Sequence, residues 1–315
     1  MEKLKDLIYD QLGSRFDQIE TSRLEFVRRI NRRENILWGS GIILVALGLV
    51  SIYGGLLIKQ FILFYAMFTI FVLSAQKGLI EYMIKDYKLE YKDLVIAPIV
   101  HSLQPEAQYN SFNHIPQEVY HHTGLFEKNL YRFNGEDLIK GEIDKTWFHF
   151  SEMFAQGETG GEDSSTYTIF KGLFVMADFH KNFEGWTTIT PEKSNSNMKL
   201  RGDYRELDVA DMENVAFEKK YVVKTNDQVE ARYILSLGMM ENILALEKRF
   251  NCQPALSFKD SKVYITIPWK NDMLEPDFRK PANDRETIYK FFDELKLCFG
   301  IIDELNLNTR IWTKV

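Results

Sequence analysis

Two apolar runs stand almost back to back near the start of the chain, Ile36 to Ile58 and Phe61 to Ala75, and amphipathic or mixed segments flank them on both sides. The first run carries no charged residue. About 20 apolar residues, each rising about 1.5 Å along a helix, are enough to cross a hydrocarbon core. The pattern therefore predicts a membrane span over residues 36–54. A second span over 56–78 reaches full length by starting at Leu56 and passing Lys59, whose stem lies along the helix while its ammonium reaches the headgroups. Gly54 and Gly55 supply the reversal between them, since glycine adopts the backbone conformations a tight turn needs. An in-plane or re-entrant second segment is the alternative.

Before the first run, Leu4, Leu7, Ile8, Leu12, Phe16, Ile19, Leu24, Phe26, Val27 and Ile30 recur at helical spacing among charges. This predicts one amphipathic helix, or two broken near Gly13 and Ser14, in a cytoplasmic segment over 1–35. Such a helix packs on the rest of the protein, lies on the membrane or pairs with a second copy. After the hairpin at 36–80, the apolar pattern from Leu79 to Leu103 continues the second span as a helical stalk over 81–99, ending at Pro98, with a domain over 100–315.

Within that domain, Ser111 to Gly124 predicts a short helix capped near Asn113. Thr146–Phe154 and Tyr167–Phe179 alternate as strands around the polar tip QGETGGEDSS. Thr187–Thr190 and Tyr221–Lys224 predict further strands, and ALSF with VYITIPW a second hairpin around Lys259-Asp260-Ser261. Asp227–Phe250 reads as one long amphipathic helix capped by Thr225 or Asn226, and Asp284–Leu305 as the last, before an extended tail LNTRIWTKV. Strands and helices without βαβ alternation predict an α+β fold, an antiparallel sheet packed with helices behind an N-terminal transmembrane helical hairpin.

Charge orients the hairpin. Arg23, Arg28, Arg29, Arg32 and Arg33 precede the first span, and Lys77, Lys85, Lys88 and Lys92 follow the second, whereas the intervening turn has only Lys59. Basic residues near a bilayer stay on the cytoplasmic side, so both termini are expected in the cytoplasm of a multi-pass protein of the inner membrane. Arg28, Arg29, Arg32, Arg33, Lys59 and Lys77 are the expected interface residues. The net charge of −6 and the lack of a basic stripe with interleaved aromatics argue against nucleic acid as a partner. Cys252 and Cys298 form neither a metal spacing nor a secreted disulfide framework, and read as buried thiols.

Candidate chemistry is sparse. His114, His121 and His122 lie near Glu118, but FNHIPQEVYHH lacks the i, i+4 histidine pair of a zinc helix, so no metal site is assigned. Asp178 and His180 are two apart at a strand end and share a face, the weak candidates for an acid–base pair. Glu158, Glu162 and Asp163 do not have calcium-loop spacing. Neither a phosphate-cradling glycine loop nor a G-x-S-x-G elbow occurs, and no cofactor is expected. Asp178, Asp227, Arg232 and Arg310, charged residues embedded in apolar elements, are grouped as a structural polar network bridging sheet, helix and tail.

The segments GLFEKNLYRFNGEDLIKGEID from Gly124, FKGLFVMADFHKNFEGWTTITP from Phe170, FEKKYVVKTNDQVEARYILSLGMMENILAL from Phe217, KVYITIPWKNDMLEP from Lys262 and LNLNTRIWTK from Leu305 carry a family resemblance. In them the chain resembles the bacterial membrane-protein family DUF3137. The resemblance implies two spans and a cytoplasmic α+β domain, with no accepted activity or catalytic residues. It also implies a membrane-protein partner of the LemA type. At position 180 the family pattern admits asparagine, which weakens the catalytic reading of His180. The expected function is a membrane-anchored scaffold or interaction module in contact with the lipid bilayer and with a partner protein or a second copy. The alternative is an enzyme acting on a membrane-proximal substrate.

Overall fold

The structure is a computed structural model that describes residues 2–53, 59–126, 129–161, 164–192, 200, 206–305 and 307. The chain divides into two compact units, Met1–Ile96 with Glu275–Tyr289, and Ala97–Leu274 with Lys290–Val315. Gly54-Gly55 and Arg310 lie outside the described residues, as does the tail beyond Leu307.

The first unit is helical. Helix α1 (Glu2–Tyr53) runs unbroken through Gly13 and Ser14 and through the first apolar run, and α2 (Lys59–Tyr91) carries the second. Both helices are long and apolar enough to cross a membrane. Along the first run Trp38, Ile42, Ile43, Val45, Leu49 and Val50 are exposed, as are Met67, Phe68, Ile70 and Phe71 of α2. Apolar residues around so much of a helix suit a lipid solvent, where water cannot penalise them. Small residues let the two helices approach: Leu73 lies 3.6 Å from where a Cβ on Gly41 would sit, and the Tyr65 ring 2.9 Å from one on Gly48. The Tyr65 hydroxyl donates to the Leu44 carbonyl, and Ser40 Oγ lies 3.2 Å from Gln76 Oε1. The pairs Ser40–Gln76 and Leu44–Tyr65 run in opposite directions, giving an antiparallel hairpin.

Outside the apolar run, α1 buries Ile8, Leu12, Phe16, Ile19, Arg23, Phe26 and Ile30, a stripe at three- and four-residue spacing. Part of its cover is the segment Glu275–Tyr289, which the sequence pattern does not foretell. The Phe26 ring stacks on Tyr87 at 4.6 Å and meets Phe278 edge-on at 5.5 Å. Arg23 donates to Glu20 Oε2 at 2.8 Å and to the Phe278 carbonyl at 3.0 Å. Ala282 N donates to Glu20 Oε2 at 2.8 Å, and the Tyr9 hydroxyl to the Asn283 carbonyl at 2.8 Å. The Arg23–Glu20 pair is thus held by backbone groups at both ends.

Past α2 the helix widens into a π turn, Lys92–Ile96, before α3 (Ala97–Leu103). Pro98 near the start of α3 has no N–H and crowds the carbonyl four residues earlier, and a π turn relieves that clash. Lys92 is buried in this turn with its ammonium 3.4 Å from Glu275, which also pairs with Lys88.

The second unit is built on a nine-stranded antiparallel sheet in the order β1-β2-β3-β4-β9-β8-β5-β7-β6. Its strands are β1 (Gln108–Asn110), β2 (Arg132–Ile143), β3 (Thr146–Glu158), β4 (Thr166–Asp178), β5 (Thr187–Pro191), β6 (Asp208–Val209), β7 (Tyr221–Thr225), β8 (Ala255–Lys259) and β9 (Lys262–Pro268). The helices are α4 (Gln117–His122), α5 (Val215–Glu218), α6 (Gln228–Ile234), α7 (Leu237–Phe250) and α8 (Arg285–Glu304), the last entering this unit at Lys290. The α+β class and the antiparallel sheet agree with the sequence reading. The β2–β3 turn has Asp144 and Lys145 at φ 47° and 69°, and the β8–β9 turn Asp260 and Ser261 at 52° and 57°. Both are the left-handed pairs that match hairpin twist.

Two helical expectations need correction. Asp227–Phe250 is two helices, because the backbone leaves the helix at Leu235 and Ser236 caps α7, its hydroxyl accepting from Met239 N. Asp227, rather than Thr225 or Asn226, caps α6, accepting from Val229 N and Glu230 N at 2.9 Å each. The helix expected over 111–124 is confined to Gln117–His122 and has no side-chain cap; Asn110 instead accepts from the amides of Phe112 and Asn113. A core of aromatic rings fills the sheet's packed face, with Tyr120 stacked on Phe126 at 4.6 Å beside Phe170 and Phe174. Gly172 in β4, at φ 153°, allows the close crossing with β9: a Cβ there would lie 2.1 Å from the Ile267 carbonyl oxygen.

Candidate functional site

The closest gathering of chemical groups among the described residues is one that sequence spacing does not disclose, the carboxylates of Glu136, Asp137 and Glu152, with ligand atoms within 4.8 Å of one another. A bulge builds it. The β2 register shifts between Glu136 and Ile139, and Asp137 takes a left-handed φ of 59°. Glu136 pairs with Glu152 across the strands. The Tyr109 hydroxyl donates to Asp137 Oδ1 at 2.5 Å, and Met273 N donates to Glu152 Oε2 at 2.7 Å. One residue on, Leu274, with φ 51°, donates its N–H to Glu294 Oε2 at 3.0 Å.

Burial dominates the electrostatics. It pushes the Glu152 carboxyl up to about 8, with the Met273 N–H opposing and the charges of Asp272, Glu136 and Asp137 adding to the rise. Glu152 is therefore protonated at neutral pH. Three carboxylates at this spacing have the hard oxygens a divalent cation takes. Here one oxygen of Glu152 is committed to a backbone amide and the group keeps its proton, so the cluster's visible work is to fix the bulge and the Met273–Leu274 turn.

The three histidines do not converge. His114 Nδ1 lies 2.8 Å from the Ile115 carbonyl, His121 Nε2 lies 3.1 Å from Gln117 Nε2, and His122 Nε2 lies 2.7 Å from Asp260 Oδ2. Asp178 ends β4 opposite Lys262, and the His180 ring packs 4.7 Å from Phe179. Of the grouped polar residues, Asp227 caps α6 and Arg232 Nη1 donates to the Gln228 carbonyl of its own helix at 3.0 Å; their grouping with Arg310 falls on a residue outside the described set. Cys298 is buried and Cys252 half-buried, and burial pushes both thiols up, Cys252 to about 11. Among the interface residues, Arg28, Arg29, Arg32 and Arg33 are exposed on α1, and Lys77 lies 3.9 Å from Glu81. The Lys59 side chain lies outside the description.

A third feature is apolar. Val229 and Tyr233, one turn apart on α6, are 78% and 45% exposed, and Leu237 at the head of α7 is 55% exposed. Gln228 Nε2 donates to the Val209 carbonyl at 3.2 Å, which ties β6 and its exposed Val209 to the same helix.

The family described as Protein of unknown function (DUF3137) matches residues 168–307, in line with the resemblance read in the sequence motifs. None of the curated proteins matches the chain. A solved structure, the mycobacterial trehalose monomycolate transport factor A (TtfA), aligns with 66% of this chain and 93% of its own at 8% identity and a TM-score of 0.32, too slight a likeness to assign a fold or a role.

Proposed function

We propose that this protein is a membrane-anchored interaction module of the inner membrane, its two apolar helices crossing the bilayer and its sheet unit offering a docking face to a protein partner on the cytoplasmic side. The observation that carries the reading is the exposed apolar pair Val229 and Tyr233 on α6, with Val209 tied to the same helix through Gln228. Large apolar side chains gathered on a polar surface mark interaction sites more often than chance exposure does. The lipid-suited exposure of α1 and α2 supports the anchor, and the arginines before the first apolar run support the orientation. Neither the groove beside α7 nor the pocket beside Arg23 is lined by Asp178 or His180.

Photo-crosslinking in cells tests the module. A photoreactive residue at Val229 or Tyr233 is expected to trap a discrete partner band, while the same residue at Lys140 on β2 traps none. The double variant V229D/Y233D is expected to lose a partner that co-purifies with the wild type. No crosslink at either apolar position, with the protein present at normal abundance, would contradict the proposal.

A further inference from the structure

Beside the C-terminal turn of α7 the sheet unit has a groove of about 1020 Å³ whose lining includes Lys248 and Phe250 of α7, and Trp269 and Lys270 just past β9. The Phe250 ring meets the Trp269 indole edge-on, with centroids 5.9 Å apart at 77°, so an aromatic pair and two lysines share the lining. Glu247 also lines the groove, but its charge is already engaged. Lys220 Nζ lies 2.9 Å from its Oε1, and the Tyr221 hydroxyl donates to its Oε2 at 3.3 Å. Asp272, two residues beyond Lys270, is held by Lys171 at 2.7 Å. Among the described residues no carboxylate pairs with Lys248 or Lys270, and both are exposed. The groove therefore presents two uncompensated ammonium groups and two aromatic rings, in a volume close to the upper end of small-molecule sites.

We propose that this groove binds a small phosphate monoester carrying a flat ring, with the nucleoside monophosphates as the nearest chemical class. Two ammonium groups lining one groove match a group carrying about −1.5 to −2 charges at pH 7, and the Phe250–Trp269 ring pair in the same lining suits a planar ring. A cation would meet both lysines, and an uncharged ring compound would leave them without a counter-charge. The site is independent of the apolar docking face, sharing no residue with it.

Titration calorimetry of the detergent-solubilised full chain with adenosine 5′-monophosphate tests the proposal, with adenosine and inorganic phosphate as separate arms. Saturable binding of the monophosphate is expected, with each half binding at least ten-fold more weakly. K248E/K270E is expected to abolish binding while leaving the melting curve in place, K248R/K270R to retain it, and W269A to weaken it about ten-fold. Lys140→Glu, a charge reversal elsewhere on the sheet, is expected to bind as the wild type does. Absence of saturable binding to the wild type at millimolar ligand would overturn the proposal, as would unchanged binding by K248E/K270E. Inorganic phosphate binding as tightly as the monophosphate would overturn the ring-binding part.

Discussion

Ile42, Ile43 and Val45 of α1 are each more than half exposed, whereas Val263, Ile265 and Ile267 of β9 are wholly buried. These are the same kinds of side chain in two regions with opposite burial, and the difference lies in the solvent each region is built to meet. In the sheet unit apolar surface is removed from water and polar side chains face outward. In the helical unit the apolar runs of α1 and α2 display their surface, while the rest of α1 buries an apolar stripe together with Arg23, and Lys92 is buried against Glu275. One chain thus carries two packing regimes: hydrophobic burial organises the second unit and the polar-flanked part of the first, and close approach at small residues joins the apolar runs of α1 and α2.

Core truncation gives this contrast its largest readout. Phe174→Ala removes a buried ring from the sheet core and is expected to cost about 3–5 kcal/mol in chemical denaturation of the detergent-solubilised chain. Ile43→Ala in α1 should leave the same transition within about 0.5 kcal/mol. Similar costs at the two positions would erase the distinction.

Comparable in size is the pH dependence of the sheet unit. Glu152 is raised from 4.5 to about 8 in the folded protein, so the folded state keeps a proton that the unfolded chain releases. Its contribution is fully present below pH 4.5 and is lost as pH rises towards 8, a decline of roughly 4–5 kcal/mol at most. Glu152→Gln keeps an acceptor for Met273 N–H and should flatten that part of the pH–stability curve. If adding magnesium or calcium at pH 8 raised the wild-type melting temperature and chelator reversed it, the cluster would be a cation site instead of a protonated structural one.

In the helical unit, Arg23→Ala leaves the Phe278 carbonyl without this donor and Glu20 with only the Ala282 N–H, and is expected to cost about 2 kcal/mol, read as faster proteolysis within Glu275–Tyr289. Lys77→Ala breaks only an exposed pair at 3.9 Å and should change stability by less than about 0.5 kcal/mol.

Periodicity carried much of this fold. The apolar runs follow from their length and lack of charge, the β8–β9 hairpin and helix α8 from repeats of 2 and 3.6 residues, and the β3–β4 hairpin from alternation that survives a register shift between Ala155 and Gln156. Strand β2 was hidden because its bulge at Glu136–Asp137 shifts the alternation, and Gly135 and Gly141 dilute it further. The break between α6 and α7 was hidden because Leu237, Met240 and Leu244 continue the apolar spacing across Ser236, and only the cap reveals it. The Glu275–Tyr289 segment is irregular and meets α1 more than 250 residues earlier in the chain, so its place depends on tertiary contacts with no local pattern. Glu136, Asp137 and Glu152 were missed for a related reason, since strand pairing and a left-handed Asp137 create their proximity. The resemblance to DUF3137 read in the motifs holds over residues 168–307.

The central claim is that α1 and α2 cross the bilayer and keep the sheet unit on the cytoplasmic side, and labelling in intact cells tests it most directly. With Cys252 and Cys298 replaced by serine, a single cysteine at exposed Lys140 should resist a membrane-impermeant maleimide until the cells are permeabilised, and the protein should stay with membranes through alkaline washing. Labelling of Lys140→Cys in intact cells, or release of the protein by the wash, would contradict the account.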